Sequence, residues 1–82
     1  MEFWCFSKCF YSYDNFDRDV RILHFKTMEE GLETFTSYVN MYIDDFELEE
    51  GEYTINESED SYEFLYSDAD LDIELSLDKI IL

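Results

Sequence analysis

The reactive side chains of this sequence are overwhelmingly carboxylates, with 22 Asp and Glu residues against 5 Lys and Arg. Asp68, Asp70 and Asp72 have the spacing that opens a calcium-binding EF-hand loop. Such a loop needs Gly at its sixth position and Glu at its twelfth, where this chain has Ile73 and Lys79. One His and two Cys do not make a convincing zinc site. We therefore expect no metal and no cofactor.

No residue pattern indicates an enzyme. His24 is the only histidine, and no Ser or Cys nucleophile signature accompanies it, which favours a structural role. Pairs of carboxylates are too common in this chain to be a signal, and glycosidase chemistry needs a substrate cleft that so short a chain can hardly form. A glycine-rich phosphate loop is excluded because the sequence has only Gly31 and Gly51.

The two cysteines and the first residues of the sequence favour an intracellular protein. Cys5 and Cys9 would lie roughly 13 Å apart on an extended strand, and a disulfide needs Cα atoms within about 7 Å. We expect both thiols to be reduced. The first residues lack the basic start and apolar stretch of a signal peptide, and no apolar run is long enough to cross a membrane. We expect a cytoplasmic protein, in the host cytoplasm if it is phage-encoded.

The negative charge is concentrated in one part of the chain. Residues 1–26 hold four acids and four bases, whereas residues 27–82 hold 18 acids and the single base Lys79. The net charge of −17 far exceeds the value of about 2–8 that keeps a small domain soluble. A nucleic-acid binder would carry a basic surface, so nucleic acid is excluded as a partner. The excess indicates either a halophilic or merely very soluble protein, or a basic protein partner.

Hydrophobic periodicity predicts five strands and one helix. Glu2 to Tyr13 and Asp19 to Lys26 are typical of a hairpin, whose second strand we expect to be buried on one face and partly covered on the other. Residues 53–58, 62–67 and an alternating segment from Leu71 predict three more strands. The order is β-β-α-β-β-β, which predicts an α+β fold in which one helix packs on one face of a single antiparallel sheet. At this length we expect residues 1–82 to form one domain.

The helix is predicted over residues 28–44. Thr27 is a suitable N-cap, and Glu30 stands where a capping box needs an acid. Apolar residues recur at intervals of three and four, which places them on one stripe facing the sheet. The predicted stripe consists of Met28, Leu32, Phe35, Val39, Tyr42, Ile43 and Phe46.

The spacing of acids on the predicted strands suggests mimicry of DNA. Side chains two positions apart on a strand lie about 6.7 Å apart, an interval comparable to that between successive phosphates. One row of such charges would be Asp72, Glu74 and Asp78. A second row would be Glu57, Glu59, Asp60 and Glu63.

One strand resembles a known inhibitor family. The segment Tyr53–Ser58 is similar to the edge strand of the phage inhibitors of uracil-DNA glycosylase, in which an apolar-x-apolar-x-Glu-Ser segment enters the DNA groove of the enzyme. The resemblance implies that Glu57 and Ser58 contact the enzyme. It also implies an apolar pocket for the side chain that the enzyme wedges into DNA, lined by Tyr62, Phe64, Leu65 or residues of the helix. The chain departs from the family at Glu59-Asp60-Ser61, where the family's strand stays apolar.

Two further segments resemble a second, shorter phage inhibitor of the same enzyme. Tyr62–Tyr66 is similar to its aromatic-Glu-x-Leu-Tyr segment, and Leu75–Leu82 is similar to its Leu-x-Leu-Asp-Lys end. That inhibitor is a dimer in which an aromatic residue blocks the wedge, a role that would fall to Tyr62 here.

These patterns predict an acidic DNA mimic that occludes the DNA groove of a host enzyme, with uracil-DNA glycosylase favoured. One alternative is another DNA-binding target, such as a CRISPR effector or a restriction enzyme. A second is an immunity or interaction module that binds a basic protein. The chain is expected to be a monomer or a homodimer. The predicted partner-binding residues are Glu57, Ser58, Glu59, Asp60, Tyr62, Glu63, Phe64, Asp72, Glu74 and Asp78.

Overall fold

A computed structural model describes residues 1–82 and confirms the predicted fold class and order of elements. The strands are β1 (Glu2–Ser12), β2 (Asp17–Phe25), β3 (Thr54–Glu57), β4 (Ser61–Ser67) and β5 (Leu71–Ile81), and the helix is α1 (Met28–Asp45). They form one antiparallel sheet in the order β2-β1-β5-β4-β3, with α1 against one face. The long strands β1 and β5 lie in the interior of the sheet and pair with each other along their whole length.

The core lies between the sheet and α1. Alternate side chains of the central strands point towards the helix, and Phe6, Phe64, Leu75 and Leu77 are completely buried there. The helix contributes one stripe of side chains to this layer, as an amphipathic helix should. The buried apolar residues are Trp4, Phe6, Phe35, Val39, Tyr42, Leu48, Phe64, Ile73, Leu75 and Leu77.

Gly31 sets the distance between α1 and the sheet. A Cβ atom at this position would lie 2.8 Å from Cδ1 of Leu77 and 3.5 Å from Cβ of Trp4. Because a Cβ atom here would force the buried Leu77 side chain to shift, glycine favours this close approach of the helix to β1 and β5. The apolar stripe of the sequence did not include this contact, since glycine carries no hydrophobic signal.

The helix begins where the sequence predicts and ends one residue later than predicted, at Asp45. Thr27 accepts a hydrogen bond from the backbone N–H of Glu30, and its hydroxyl also donates to the Glu30 carboxylate. Met28 and Phe46, which the stripe places in the core, are 39% and 38% exposed because they lie at the two ends of the helix. No helix has the length and apolar character needed to cross a membrane.

The prediction for the second strand is wrong in one respect. We expected β2 to be covered on both sides, but it is an edge strand whose first six residues are exposed. Leu23 and Phe25 lie on the helix side and are half-buried. Val20 and Ile22 point to the other side, where they are 54% and 60% exposed, because nothing packs on that side of the strand.

Candidate partner-binding surface

The face of the sheet opposite α1, here called the open face, is not covered by any element of the chain. Strand alternation and register assign its side chains, since directly opposed residues of an antiparallel pair point to the same side. The open face has an apolar half on β1 and β2 and an acidic half on β4 and β5. The apolar half includes Phe3, Cys5, Cys9, Val20 and Ile22, and the acidic half includes Glu63, Asp72, Glu74 and Asp78.

The acidic half contains the first predicted row. Asp72, Glu74 and Asp78 all point to the open face of β5, with Ser76 between the last two. Glu63 on β4 lies opposite Ser76 and so fills the gap in the row from the neighbouring strand. The four carboxylates therefore form one continuous anionic patch across two strands.

Asp72 is held in place by two hydroxyl groups. Oγ of Ser67 donates to one carboxylate oxygen at 2.5 Å, and the hydroxyl of Tyr13 donates to the other. The hydrogen bonds from Ser67 and Tyr13 hold the pKa of Asp72 below its ordinary value, because both stabilise the charged form. Asp72 is thus both ionised and oriented at neutral pH.

Two more carboxylates of the patch have neutral donors. Oγ of Ser61 donates to Asp78 at 2.7 Å, and Nδ2 of Asn56 donates to Glu63 at 3.0 Å. Hydrogen bonds from neutral groups orient a carboxylate without cancelling its charge. Of the 22 acidic residues, only Glu2, Asp19 and Asp60 lie within ion-pair distance of a base. The patch therefore keeps its full charge, and three of its four carboxylates are held in a fixed arrangement.

A shallow concavity of about 650 Å³ lies along the boundary between the two halves of the open face. Half-buried Leu65 and Tyr11 contribute apolar surface to it, and Asp72 and Glu74 contribute charge. Arg18, on the edge strand, also lines the concavity but makes no ion pair with these acids. An apolar area bordered by carboxylates, of which Asp72 is held in place, suits a partner surface in which basic residues surround an apolar one.

The structure divides the second predicted row. Glu57 is opposite Tyr62 on the helix side of the sheet, whereas Glu63 points to the open face. Glu59 and Asp60 lie in the turn between β3 and β4, and the Asp60 carboxylate is 3.8 Å from Nζ of Lys79. Odd-numbered residues of β3 point to the helix side and odd-numbered residues of β4 point to the open face, because the turn does not preserve the alternation of side chains along a strand.

Glu57, Ser58 and Glu63 nevertheless lie close together at the end of the β3–β4 hairpin. With Asn56 and Ser61 they line a polar depression of about 140 Å³. β3 is the second edge of the sheet, so Glu57 and the segment that precedes it are accessible from the side.

The expectation that Phe64 contacts a partner is wrong. Phe64 is fully buried between the sheet and α1 and packs against Tyr53, with ring centroids 5.3 Å apart. Tyr62 points the same way, half-buried beside Trp4 and Phe35. Their alternation places Leu65 on the open face, and Leu65 is the only one of the three named pocket residues that lines the concavity.

Sequence reasoning missed the residues that orient the carboxylates: Tyr13, Asn56, Ser61 and Ser67. The alternation of β4 predicts that Ser61 and Ser67 share a face with Glu63. It does not predict which acids of β5 they contact, because those contacts depend on the register between the two strands. No group of three His, Cys, Asp or Glu side chains converges in a way that would hold a metal ion.

Comparisons of the chain with protein-family models, with curated protein sequences and with solved structures find no significant match.

Proposed function

We propose that the protein inhibits a DNA-binding host enzyme by occupying its DNA groove with the acidic half of the open face. The observation that carries the proposal is the patch of Glu63, Asp72, Glu74 and Asp78. Neutral donors hold three of these carboxylates, and no Lys or Arg side chain forms an ion pair with any of the four. A patch that served only solubility would not need its carboxylates to be oriented.

Fixed charges suit a decoy for energetic reasons. When two proteins associate, each side chain that becomes ordered loses conformational entropy, which costs about 0.5–1.5 kcal/mol for a flexible side chain. Carboxylates that are already held lose less of this freedom when a basic groove closes on them. The net charge of −17 also accelerates the encounter with a basic groove, and this acceleration weakens as salt screens the charges.

The favoured target is uracil-DNA glycosylase, in the cytoplasm of a host cell. The proposal of this target rests on the resemblance of residues 53–58 to the inhibitors of that enzyme. The edge position of β3 supports it, because Glu57 and Ser58 can be reached from the side of the sheet. A restriction enzyme or a CRISPR effector offers a similar basic groove and remains the alternative target.

A uracil-excision assay tests the target. The purified protein should abolish excision at a stoichiometric ratio to the enzyme and should compete with DNA for binding. Full activity of the glycosylase in the presence of excess protein would reject this target, and capture of a different DNA-binding protein from a bacterial lysate would identify the alternative.

A pair of variants tests the surface once a target binds. Glu74→Gln removes one charge from the patch, and Glu33→Gln removes one charge from the exposed surface of α1. We expect Glu74→Gln to weaken binding about tenfold, the effect of roughly 1.4 kcal/mol, and Glu33→Gln to change it little. Equal effects of the two variants would show that only total charge matters and would contradict the proposed surface.

A further inference from the structure

The edge strand β2 differs from the rest of the surface because its charges balance. Its acids, Asp17 and Asp19, are matched by Arg18 and Arg21, whereas the chain as a whole carries a charge of −17. Two copies of so acidic a protein repel each other over most of their surfaces. They can approach closely only where the local charge is neutral, and β2 provides such a place.

The backbone of β2 is also open to pairing. The strand has nine residues, bonds to β1 along one side, and has no strand on the other. Natural proteins usually protect a long edge with proline, a bulge or charged side chains. β2 has no proline and no bulge. It does carry charged side chains, but they are of both signs, so an antiparallel second copy can match them, and Val20 and Ile22 are exposed beside the free edge.

The opposite edge of the sheet is protected. β3 has only four residues, Thr54–Glu57, and acidic side chains surround it. Two β3 edges would bring like charges together, which is unfavourable. The contrast between the two edges indicates that β2 alone is suited to pairing with another copy. The acids nearest β3 in the sequence are Glu52, Glu57, Glu59 and Asp60.

We propose that two copies of the protein form a dimer by antiparallel pairing of their β2 strands around a two-fold axis at Val20. In this register Val20 lies opposite Val20 of the second copy. Asp19, whose Oδ2 lies 2.8 Å from Nζ of Lys8, then lies opposite Arg21 of the second copy. Its other carboxylate oxygen is available for an ion pair with that Arg21, and this pair occurs twice because of the symmetry. An axis at Asp19 or Arg21 would instead place like charges opposite each other, and one at Ile22 would place Arg21 opposite Leu23.

The dimer follows from the charge and geometry of β2 and does not depend on the proposed function. A two-fold axis perpendicular to the sheet joins the two sheets into one and keeps both helices on the same side. The acidic half of the open face stays accessible in both copies, because β1 separates β2 from β5 and β4. Each dimer would therefore present two acidic patches.

The mass of the protein in solution, measured by sedimentation equilibrium over a range of concentrations, tests the proposal. The wild-type chain should reach twice its mass of 10.0 kDa. Val20→Lys places two ammonium groups at the axis and should raise the dissociation constant about a hundredfold or more, because like charges across an interface are strongly unfavourable. Val20→Thr retains a β-branched side chain and should stay dimeric.

Ile55→Lys is the matched control, since it introduces the same charge at an exposed β-branched residue of the other edge. It should leave the dimer intact. A wild-type protein that is monomeric at every concentration, or a dimer that Ile55→Lys disrupts as strongly as Val20→Lys, overturns the proposal.

Amide exchange of the wild-type protein gives a second test that needs no variant. The β2 amides that do not bond to β1 should become protected as the concentration rises, while those of β3 should not. Protection of β2 that does not change with concentration would also count against the dimer.

Discussion

Nζ of Lys8, which lies in the layer between the sheet and α1, is 2.8 Å from a carboxylate oxygen of Asp19 at the exposed edge of that layer. Lys8 is only 7% exposed, and its ammonium group lies over the ring of Tyr38, 4.9 Å from the centroid. Burial opposes the charge of Lys8, but its contacts with Asp19 and then Tyr42 outweigh this effect and raise the pKa of Lys8. The same contact lowers the pKa of Asp19. The pair therefore stays charged across the neutral range.

Removal of the two partners should have unequal effects. Asp19→Asn leaves a buried ammonium group without its counterion, which is costly. Lys8→Met replaces the ammonium by an apolar side chain and leaves Asp19 at the surface in contact with water. We expect Asp19→Asn to lower the melting temperature clearly and Lys8→Met to change the unfolding free energy by less than about 1 kcal/mol. A larger loss from Lys8→Met, in thermal denaturation at neutral pH, would contradict this account.

The contact between Gly31 and Leu77 predicts a coupled pair of substitutions. Gly31→Ala gains about 1 kcal/mol of helix propensity, but its Cβ would lie 2.8 Å from the buried Leu77, and overpacking costs about 1–3 kcal/mol. We expect a net loss of about 1 kcal/mol. Leu77→Val makes room, so the double variant should lose less than the sum of the two single variants. Additive losses in urea denaturation would show that the two positions do not interact.

Two aspartates near the turn between β4 and β5 should affect stability with opposite signs. Repulsion from Asp14, then desolvation and repulsion from Asp68, raise the pKa of Asp70. Its ionisation is therefore unfavourable, and this cost appears as the pH rises through the pKa of the folded state. Ser67 and Tyr13 lower the pKa of Asp72 in the folded state. Ionised Asp72 therefore contributes to folding stability above the ordinary pKa of aspartate, and this contribution is lost as the pH falls through the pKa of the folded state.

We therefore expect Asp70→Asn to raise the melting temperature at neutral pH and Asp72→Asn to lower it. Both differences from wild type should shrink when the carboxyl groups are protonated, below about pH 3. Melting curves at several pH values test this expectation, and shifts of the same sign in both variants at neutral pH would refute it.

Tyr66 should titrate late. Its hydroxyl donates to the Asp68 carboxylate at 2.5 Å, and this hydrogen bond, followed by desolvation, raises the pKa of Tyr66 to about 12. The neutral form is thus favoured in the folded state, so the stability it contributes is present below the ordinary tyrosine pKa and lost as the pH rises through about 12. An NMR titration of the Tyr66 ring should show this value, and Asp68→Asn should move it towards about 10.

The edge strand β3 gives a prediction for binding. If Glu57 contacts the target, Glu57→Gln should weaken binding more than Glu2→Gln, because Glu2 lies 3.5 Å from Lys79 and already has a counterion. Competition binding at low salt, where charge contributes most, compares the two variants. A Glu57→Gln protein that binds like wild type would limit the interface to the open face.

The sequence by itself determined the elements and their order. The alternation of Leu71, Ile73, Leu75 and Leu77 with polar residues and the N-cap at Thr27 are local signals, because they depend on neighbours within one turn or one strand. Local signals also placed Asp72, Glu74 and Asp78 on one face, since side chains two apart on a strand always share a side.

Only the tertiary structure decided which strands meet and which side chains are covered. The register of β4 against β5 brings Ser61 to Asp78, and the β1–β2 turn brings Tyr13 to Asp72. These contacts join residues that are far apart in the chain, so no local pattern announces them. The sequence also could not predict that Phe64 and Lys8 are buried and Val20 is exposed. Alternation along a strand tells which side chains share a face, but not which face the helix covers.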